Sequence, residues 1–191
     1  AFTGLTLENM VRGRSWLFLD TGRRIERALQ ITRLTKSTVA TVTLGEDENL
    51  LSDSMRTIVD SLMTYRRRYR YGVKIPQLLE LVLCDVNNPR SLAYQVTRLE
   101  EHVATLPQKP ESDNLSELER LAQEAASLVR LADVNRLSVP NKQSKRRDTL
   151  DNFLDILAVR LPVLSDSLSE TYFHTTATPH QLVQLRSRSA T

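Results

Sequence analysis

Five ionisable residues lie within a stretch of eight positions, namely Asp20, Arg23, Arg24, Glu26 and Arg27. In a helix, Asp20, Arg23 and Arg27 share one face with Trp16, whereas Glu26 points about a quarter-turn away. Because a guanidinium can donate two hydrogen bonds to one carboxylate or phosphate, one interpretation is a site for an anionic or peptide-like ligand. The other is a structural ion-pair network, since an unpaired buried ion is costly. In the second case Glu26→Gln would cost about 1 to 3 kcal/mol.

Other kinds of chemistry have little support in the sequence. The three histidines, His102, His174 and His180, are far apart, and none has a spacing typical of a helical metal site. The chain lacks a glycine-rich phosphate loop and a nucleophile-elbow motif, although composition does not exclude a Ser-His-Asp arrangement. The single cysteine, Cys84, lies in an apolar run and is expected to be an inert buried thiol. We therefore predict no metal site and no cofactor.

Two basic segments raise the question of nucleic-acid binding, but their geometry and composition argue against it. Residues 65–71 read Tyr-Arg-Arg-Arg-Tyr-Arg-Tyr. Consecutive arginines on a helix spread over about 200° and cannot hold one phosphate together, so we interpret segment 66–70 as a solvated or ion-paired helix end. The second segment, Lys142 to Arg147, is interpreted as a solvated loop.

Composition limits the class of protein and its compartment. Hydrophobic residues make up 40% and charged residues 26% of the 191 residues, which is typical of a globular chain. No uncharged apolar run reaches the length of a membrane-spanning helix. The first residues do not resemble a signal peptide, and one cysteine suits a reducing compartment. We expect a cytoplasmic fragment.

Apolar spacing of three and four recurs along the chain and predicts an all-α fold, a bundle of about five to six helices. The expected helices cover about 15–42, 47–71, 76–83, 89–106, 115–132 and 150–168. For residues 76–83, the apolar pattern is also compatible with a buried strand. Asn88 is the expected cap before Pro89, and Asn114 with Glu117 forms an expected capping box. Pro162 should kink the last helix. Residues 1–170 are predicted to form one domain, and 171–191 a polar tail.

The first turn of the long N-terminal helix has an unusual pattern. Apolar residues at 16–19 (Trp-Leu-Phe-Leu) cover every direction around the helix axis. This pattern predicts a helix that is buried on all sides. The charged residues at 20–27 would then lie inside the bundle and need partners from other helices.

These segments resemble the bacterial alpha-E domain, a helical family named for a Glu-Arg motif. The resemblance covers residues 8–13 and 15–28, with Glu26-Arg27 as the motif, then Leu83, Asp85 and 88–92, and finally Tyr172-Phe173. It implies an all-helical fold and adds Asn9 and Arg12 to the candidate site. The chain is similar to the second half of a bipartite domain, so that a missing N-terminal half would be one partner.

The resemblance also implies a biochemical setting. Such domains are associated with circularly permuted ATP-grasp proteins and with transglutaminase-like proteins, which suggests peptide ligation or modification. We expect a partner- or peptide-binding module without activity of its own. Its site would comprise Asn9, Arg12, Trp16, Asp20, Arg23, Glu26 and Arg27, and its partner would be an ATP-grasp-type protein or the missing half. Self-association of the chain into a homo-oligomer is a further possibility. The alternative is an enzyme or an anion-binding site with Glu26 as acid or base.

Overall fold

The computed structural model describes residues 11–41, 74–107 and 114–173. Six α-helices and one π-helical segment make up these parts, with no strand among them. They are α1 (Arg14–Val39), α2 (Ile75–Leu79), the π-helical segment (Glu80–Cys84), α3 (Leu92–Thr105), α4 (Glu117–Arg130), α5 (Val134–Ser138) and α6 (Asp148–Tyr172). The predicted all-α class is confirmed, and region 76–83 is helical. The predicted helix at 47–71, with basic segment 66–70, and residues 174–191 lie outside the described residues.

The four long helices form a ring in which each contacts two neighbours: α1 contacts α3 and α6, and α4 contacts the same two helices. Helix α1 runs antiparallel to α6. The Phe18 and Tyr172 rings meet edge to face at 5.0 Å at one end, and Lys36 is ion-paired with Asp155 at the other. Tyr172 also donates a hydrogen bond to the Pro107 carbonyl at 2.9 Å. The end of α6 is therefore attached to both α1 and the end of α3.

Helix α6 supplies much of the core. Its inward residues alternate spacings of four and three and are at most 5% exposed: Leu150, Leu154, Leu157, Leu161, Leu164 and Leu168. Such a stripe keeps one face of a long helix directed at its neighbours. The helix continues through Pro162, and the kink expected there stays a prediction. None of the helices in the described parts is both long and apolar enough to cross a membrane.

Helix α1 presents a different core face, built mainly from small and polar side chains. Thr21, Ala28 and Thr32 are fully buried. The threonine hydroxyls donate to carbonyls one turn back, Thr21 to Leu17 at 2.7 Å and Thr32 to Ala28 at 2.8 Å. These bonds satisfy the hydroxyls of Thr21 and Thr32 within the helix, whereas the buried Thr35 hydroxyl has no hydrogen-bond partner in the described structure.

The expectation that α1 is buried on all sides near its start is wrong. Leu19 is 37% exposed, and Trp16, Leu17 and Phe18 are only partly buried. As a member of a ring, α1 packs through the side that faces α3 and α6 and leaves the opposite side to solvent.

Two helix starts differ from those expected. Helix α3 is capped by Ser91, whose hydroxyl accepts from the Tyr94 amide at 3.0 Å. Asn88 instead accepts from the Arg90 amide at 3.0 Å in the preceding turn. The capping box of α4 lies two residues later than predicted, at Ser116 and Glu119. In both cases several neighbouring residues have cap-forming side chains, and the sequence pattern does not choose between them.

The basic linker before α6 is structural rather than merely solvated. Arg147 donates to the carbonyl of Val39 at 2.7 Å and to that of Ser138 at 3.1 Å, while its amide donates to the Ala40 carbonyl at 2.8 Å. Arg146 pairs with Asp151 at 2.6 Å. Because Arg147 satisfies carbonyls at the end of α1, it joins the last turn of that helix to the first turn of α6.

We expect Ser116→Ala to destabilise the fold by about 1 kcal/mol, because it removes the acceptor for the Glu119 amide at the start of α4. Ser116→Asp keeps an acceptor at the same position and should retain most of the stability. Urea unfolding monitored by circular dichroism measures both. If aspartate destabilises as much as alanine, the capping role is wrong.

Candidate functional site

A buried carboxylate organises the interface between α1 and α3. Asp20 is 3% exposed. Arg24, one turn later on α1, donates from Nε and Nη2 to Asp20 Oδ2, each at 3.0 Å, and Nη2 also lies 3.3 Å from Oδ1. The spacing of four places the two side chains on adjacent turns of one helix. The carboxylate is thus compensated from within its own helix.

The same guanidinium reaches across to α3. Arg24 Nη1 donates to Gln95 Oε1 at 3.2 Å, and the fully buried Gln95 donates from Nε2 to the Pro89 carbonyl. The Arg24 guanidinium also lies 5.5 Å from the centre of the Tyr94 ring, within range of a cation–π interaction. We call Asp20, Arg24, Gln95 and His102 the α1–α3 polar cluster. It couples helix pairing to a chain of hydrogen bonds.

His102 completes the cluster near the end of α3. Its Nε2 lies 3.7 Å from Asp20 Oδ2, and its ring packs edge to face with Trp16 at 5.8 Å between centroids. Burial lowers the pKa of His102 below its ordinary 6.5, and the opposing attraction of Asp20 does not cancel that effect. The imidazole is therefore mostly neutral at pH 7, so Arg24 is the cation that balances Asp20.

Glu26 and Arg27 both lie outside the α1–α3 polar cluster. Glu26 and Arg27 are both exposed, and neither forms an ion pair with another residue in the described ranges. The structure therefore does not bury Glu26 in an ion pair. The physical reason is helical geometry: Asp20 lies at the edge of the face that packs on α3, and Glu26 lies more than a quarter-turn beyond it.

Two donors near this outward face lack acceptors. Arg23 Nη1 and Trp16 Nε1 are shielded from solvent but make no hydrogen bond within the described structure. The Arg12 guanidinium lies 5.6 Å from the centre of the Trp16 ring. Buried donors without partners are rare in folded proteins. Besides the exposed Glu26 and Arg27, helix α1 thus carries two shielded donors that no described residue satisfies.

The predicted site residues consequently divide between two faces. Asp20 belongs to the α1–α3 polar cluster, with Trp16 at its border and Arg12 on Trp16. Arg23, Glu26 and Arg27 take no part in that cluster. Asn9 lies outside the described residues. The described structure thus places Asp20 against α3 and Glu26 in solvent, in agreement with the separation of these two carboxylates on the helix surface.

Sequence reasoning missed the contribution of α3. Gln95 lies next to Val96 in the apolar stripe of α3, and His102 lies next to Val103, so both are within reach of the interface. Their adjacency to buried positions was the only signal. Nothing in helical periodicity identifies α1 as the helix that they contact.

Metal or thiol chemistry finds no support in the described parts of the chain. They contain no group of three or more His, Cys, Asp or Glu side chains that could hold a metal ion. Burial raises the pKa of Cys84 to about 11, so its thiol stays protonated near neutral pH. The arrangement is suited to holding two helices together and to presenting charges outward.

Comparisons with known proteins give a family but no characterised relative. Residues 1–173 match the model of Alpha-E, described as a predicted alpha-helical domain with a conserved ER motif. Uncharacterized proteins from Mycobacterium bovis and Mycobacterium tuberculosis are 35% identical over 128 residues, which is 67% of this chain and 14% of each relative. The chain thus matches about a seventh of the length of these relatives. No solved structure matches.

The chain contains two Glu-Arg pairs, and the structure distinguishes them. Glu119 accepts from the Ser116 amide at 2.7 Å in the capping box of α4, and Arg120 Nε donates to the Leu115 carbonyl at 3.3 Å. Glu26 and Arg27 have no comparable task within the described fold. The pair on α1 is therefore the one that forms no ion pair within the described residues.

We expect Asp20→Asn to destabilise the fold by about 3 kcal/mol, because it leaves the partly buried Arg24 without its counter-ion. Glu26→Gln is the matched control, since it makes the same chemical change on an exposed carboxylate and should alter stability by less than about 0.5 kcal/mol. Urea unfolding of both variants measures the difference. A larger effect for Glu26→Gln would contradict this assignment of the two carboxylates.

Because folding lowers the pKa of His102, we expect the free energy of unfolding to depend on pH. A histidine whose pKa is lowered by folding stabilises the native state above its unfolded pKa, and that stability is lost as the pH falls. The groups that influence it are Asp20 and Arg24 on α1 and Arg98 and Glu101 on α3. We expect the unfolding free energy to fall between about pH 7.5 and 5, and to fall less steeply in His102→Gln. Equal slopes in the two proteins would exclude His102 as the cause.

Proposed function

Because the chain belongs to the Alpha-E family of helical domains, we propose that it is a binding module that recognises a protein partner or peptide through the outer side of α1. The observation that carries this proposal is the exposure of Glu26 and Arg27, with no ion-pair partner among the described residues, beside the unsatisfied Arg23 Nη1. A charged surface that the fold does not use is available for an intermolecular contact.

The chemistry of this surface defines what it can recognise. Arg23 and Arg27 carry guanidinium groups, whose forked donors suit carboxylates. Glu26 requires a cation or a donor from the partner. A peptide or protein segment with groups of both signs satisfies this set better than a simple anion would.

We further propose that the module acts in a peptide ligation or modification system, with an ATP-grasp-type protein or a related N-terminal half-domain as its partner. The support is the resemblance to domains associated with ATP-grasp and transglutaminase-like proteins. Since such ligation consumes ATP, the same proposal places the module in the cytoplasm. The much greater length of the curated relatives agrees with a domain that works next to others.

An enzymatic role for Glu26 has weaker support. Water has free access to the exposed carboxylate, whereas acid–base chemistry gains from a site that excludes water. We therefore assign Glu26 to recognition rather than to proton transfer.

Co-purification tests the proposal. The tagged chain is mixed with an ATP-grasp-type protein from the same organism, with ATP and magnesium, and both the retained partner and any ligated product are measured by mass spectrometry. We expect retention, and a loss of about tenfold or more in affinity for the double variant Arg23→Glu, Arg27→Glu. Arg136→Glu is the matched control, because Arg136 is exposed on α5, away from α1. No retention, or equal affinity in all three proteins, would contradict the proposal.

A further inference from the structure

The outer side of α1 carries a straight stripe along its length. Exposed residues recur at spacings of three and four, which keeps them on one line of the helix surface: Leu19, Gly22, Glu26, Gln30, Arg33 and Ser37. We call this line the outer stripe. Arg23 and Arg27 flank it. A helix with such a line can pack along or across a second helix.

Gly22 is the unusual member of the outer stripe. Glycine inside a helix is less favourable than alanine by about 1 kcal/mol. A Cβ atom built at Gly22 would meet nothing within 4 Å, so no contact within the described structure requires its absence. A glycine on an exposed helix face is suited to close approach by another backbone or side chain. The outer stripe therefore has a shallow notch near its N-terminal end.

The charges around the notch complement themselves. Glu26 supplies a negative charge on this side of α1, and the positive charges around it come from Arg23, Arg27 and Arg33. When two such helices cross antiparallel at a two-fold axis between positions 22 and 26, Glu26 of each copy lies over Gly22 of the other. Each glutamate then reaches the partner's Arg23, which is next to that glycine. The symmetry makes every such contact twice.

We propose that the outer stripe binds the outer stripe of a second copy of this chain, in an antiparallel crossing at Gly22 and Glu26. This inference rests on the proposed function, because it names the partner of the same face. The presence of both signs favours a second copy over a purely acidic or purely basic partner. The notch favours a helix, whose side chains can enter it, over a flat surface.

Charge exchange tests this arrangement. We expect the 191-residue chain to dimerise in sedimentation equilibrium over the micromolar range. Glu26→Arg alone, and Arg23→Glu with Arg27→Glu, should each weaken the dimer by about tenfold or more through like-charge contacts. An equimolar mixture of the two variants should form a heterodimer, because opposite charges again face each other. A mixture that stays monomeric would overturn the charge assignment.

Gly22→Leu tests the notch separately. Leucine favours helix and meets open space within the described fold, so the variant should fold and melt at a temperature at least as high as the wild type. Its dimer should be weakened about tenfold or more, because the side chain fills the place of the partner's Glu26. Arg136→Glu should dimerise as the wild type does.

The outcomes separate this inference from the proposed function. A monomeric wild-type chain, or a dimer that tolerates Gly22→Leu, would overturn the dimer even if the ATP-grasp-type protein still binds. If the stripe variants weaken the dimer but the ATP-grasp-type protein is not retained, the dimer is supported and the role in a ligation system is contradicted.

Discussion

The structure depends on the compensation of one buried carboxylate. Asp20 lies where α1 meets α3, and a charge at that depth is tolerated only with close, well-oriented donors. Arg24 provides them and must therefore keep its side chain folded back along α1. In this position its remaining donor reaches Gln95. One electrostatic requirement thus fixes the pairing of two helices, because any shift of α3 would break the bond between the guanidinium and Gln95.

Helix α1 consequently has two polar sides with different roles. On the inner side, Arg24, Gln95 and two threonine-to-carbonyl bonds satisfy most polar groups, which contribute to stability and specificity of packing. The buried Thr35 hydroxyl and His102 Nδ1 have no hydrogen-bond partner in the described structure. The outer side holds Glu26 and Arg27 in solvent, where their charges contribute little to folding. In the proposed function, stability and recognition are therefore assigned to different sides of one helix. Substitutions on one side are expected to leave the other largely intact.

The sequence determines the elements better than their contacts. Leu150, Leu157 and Leu164 repeat with a heptad period that identifies both α6 and its buried face, because period and burial follow from the same helix geometry. The spacing of four permits Asp20 to pair with Arg24, and the expectation that the partners of Asp20 come from other helices is wrong, because Arg24 lies on the same helix. The link to Gln95 does not follow from spacing, because periodicity states which face is buried but not which helix covers it. The exposed position of Leu19 was missed for the same reason: an all-round apolar turn leaves open which direction has a neighbour.

The features that sequence reasoning explains least are those that the fold does not use. Gly22 lowers helix stability by about 1 kcal/mol relative to alanine, and the shielded Arg23 Nη1 lacks an acceptor in the described structure. The leucine stripe of α6 and the cap and linker bonds can offset such losses, so the domain folds despite them. Within the fold these losses bring no gain, because no described residue occupies the space beside Gly22 or accepts from Arg23. Both become favourable together when a second molecule enters the notch and supplies a carboxylate, which is why the two features belong to one surface.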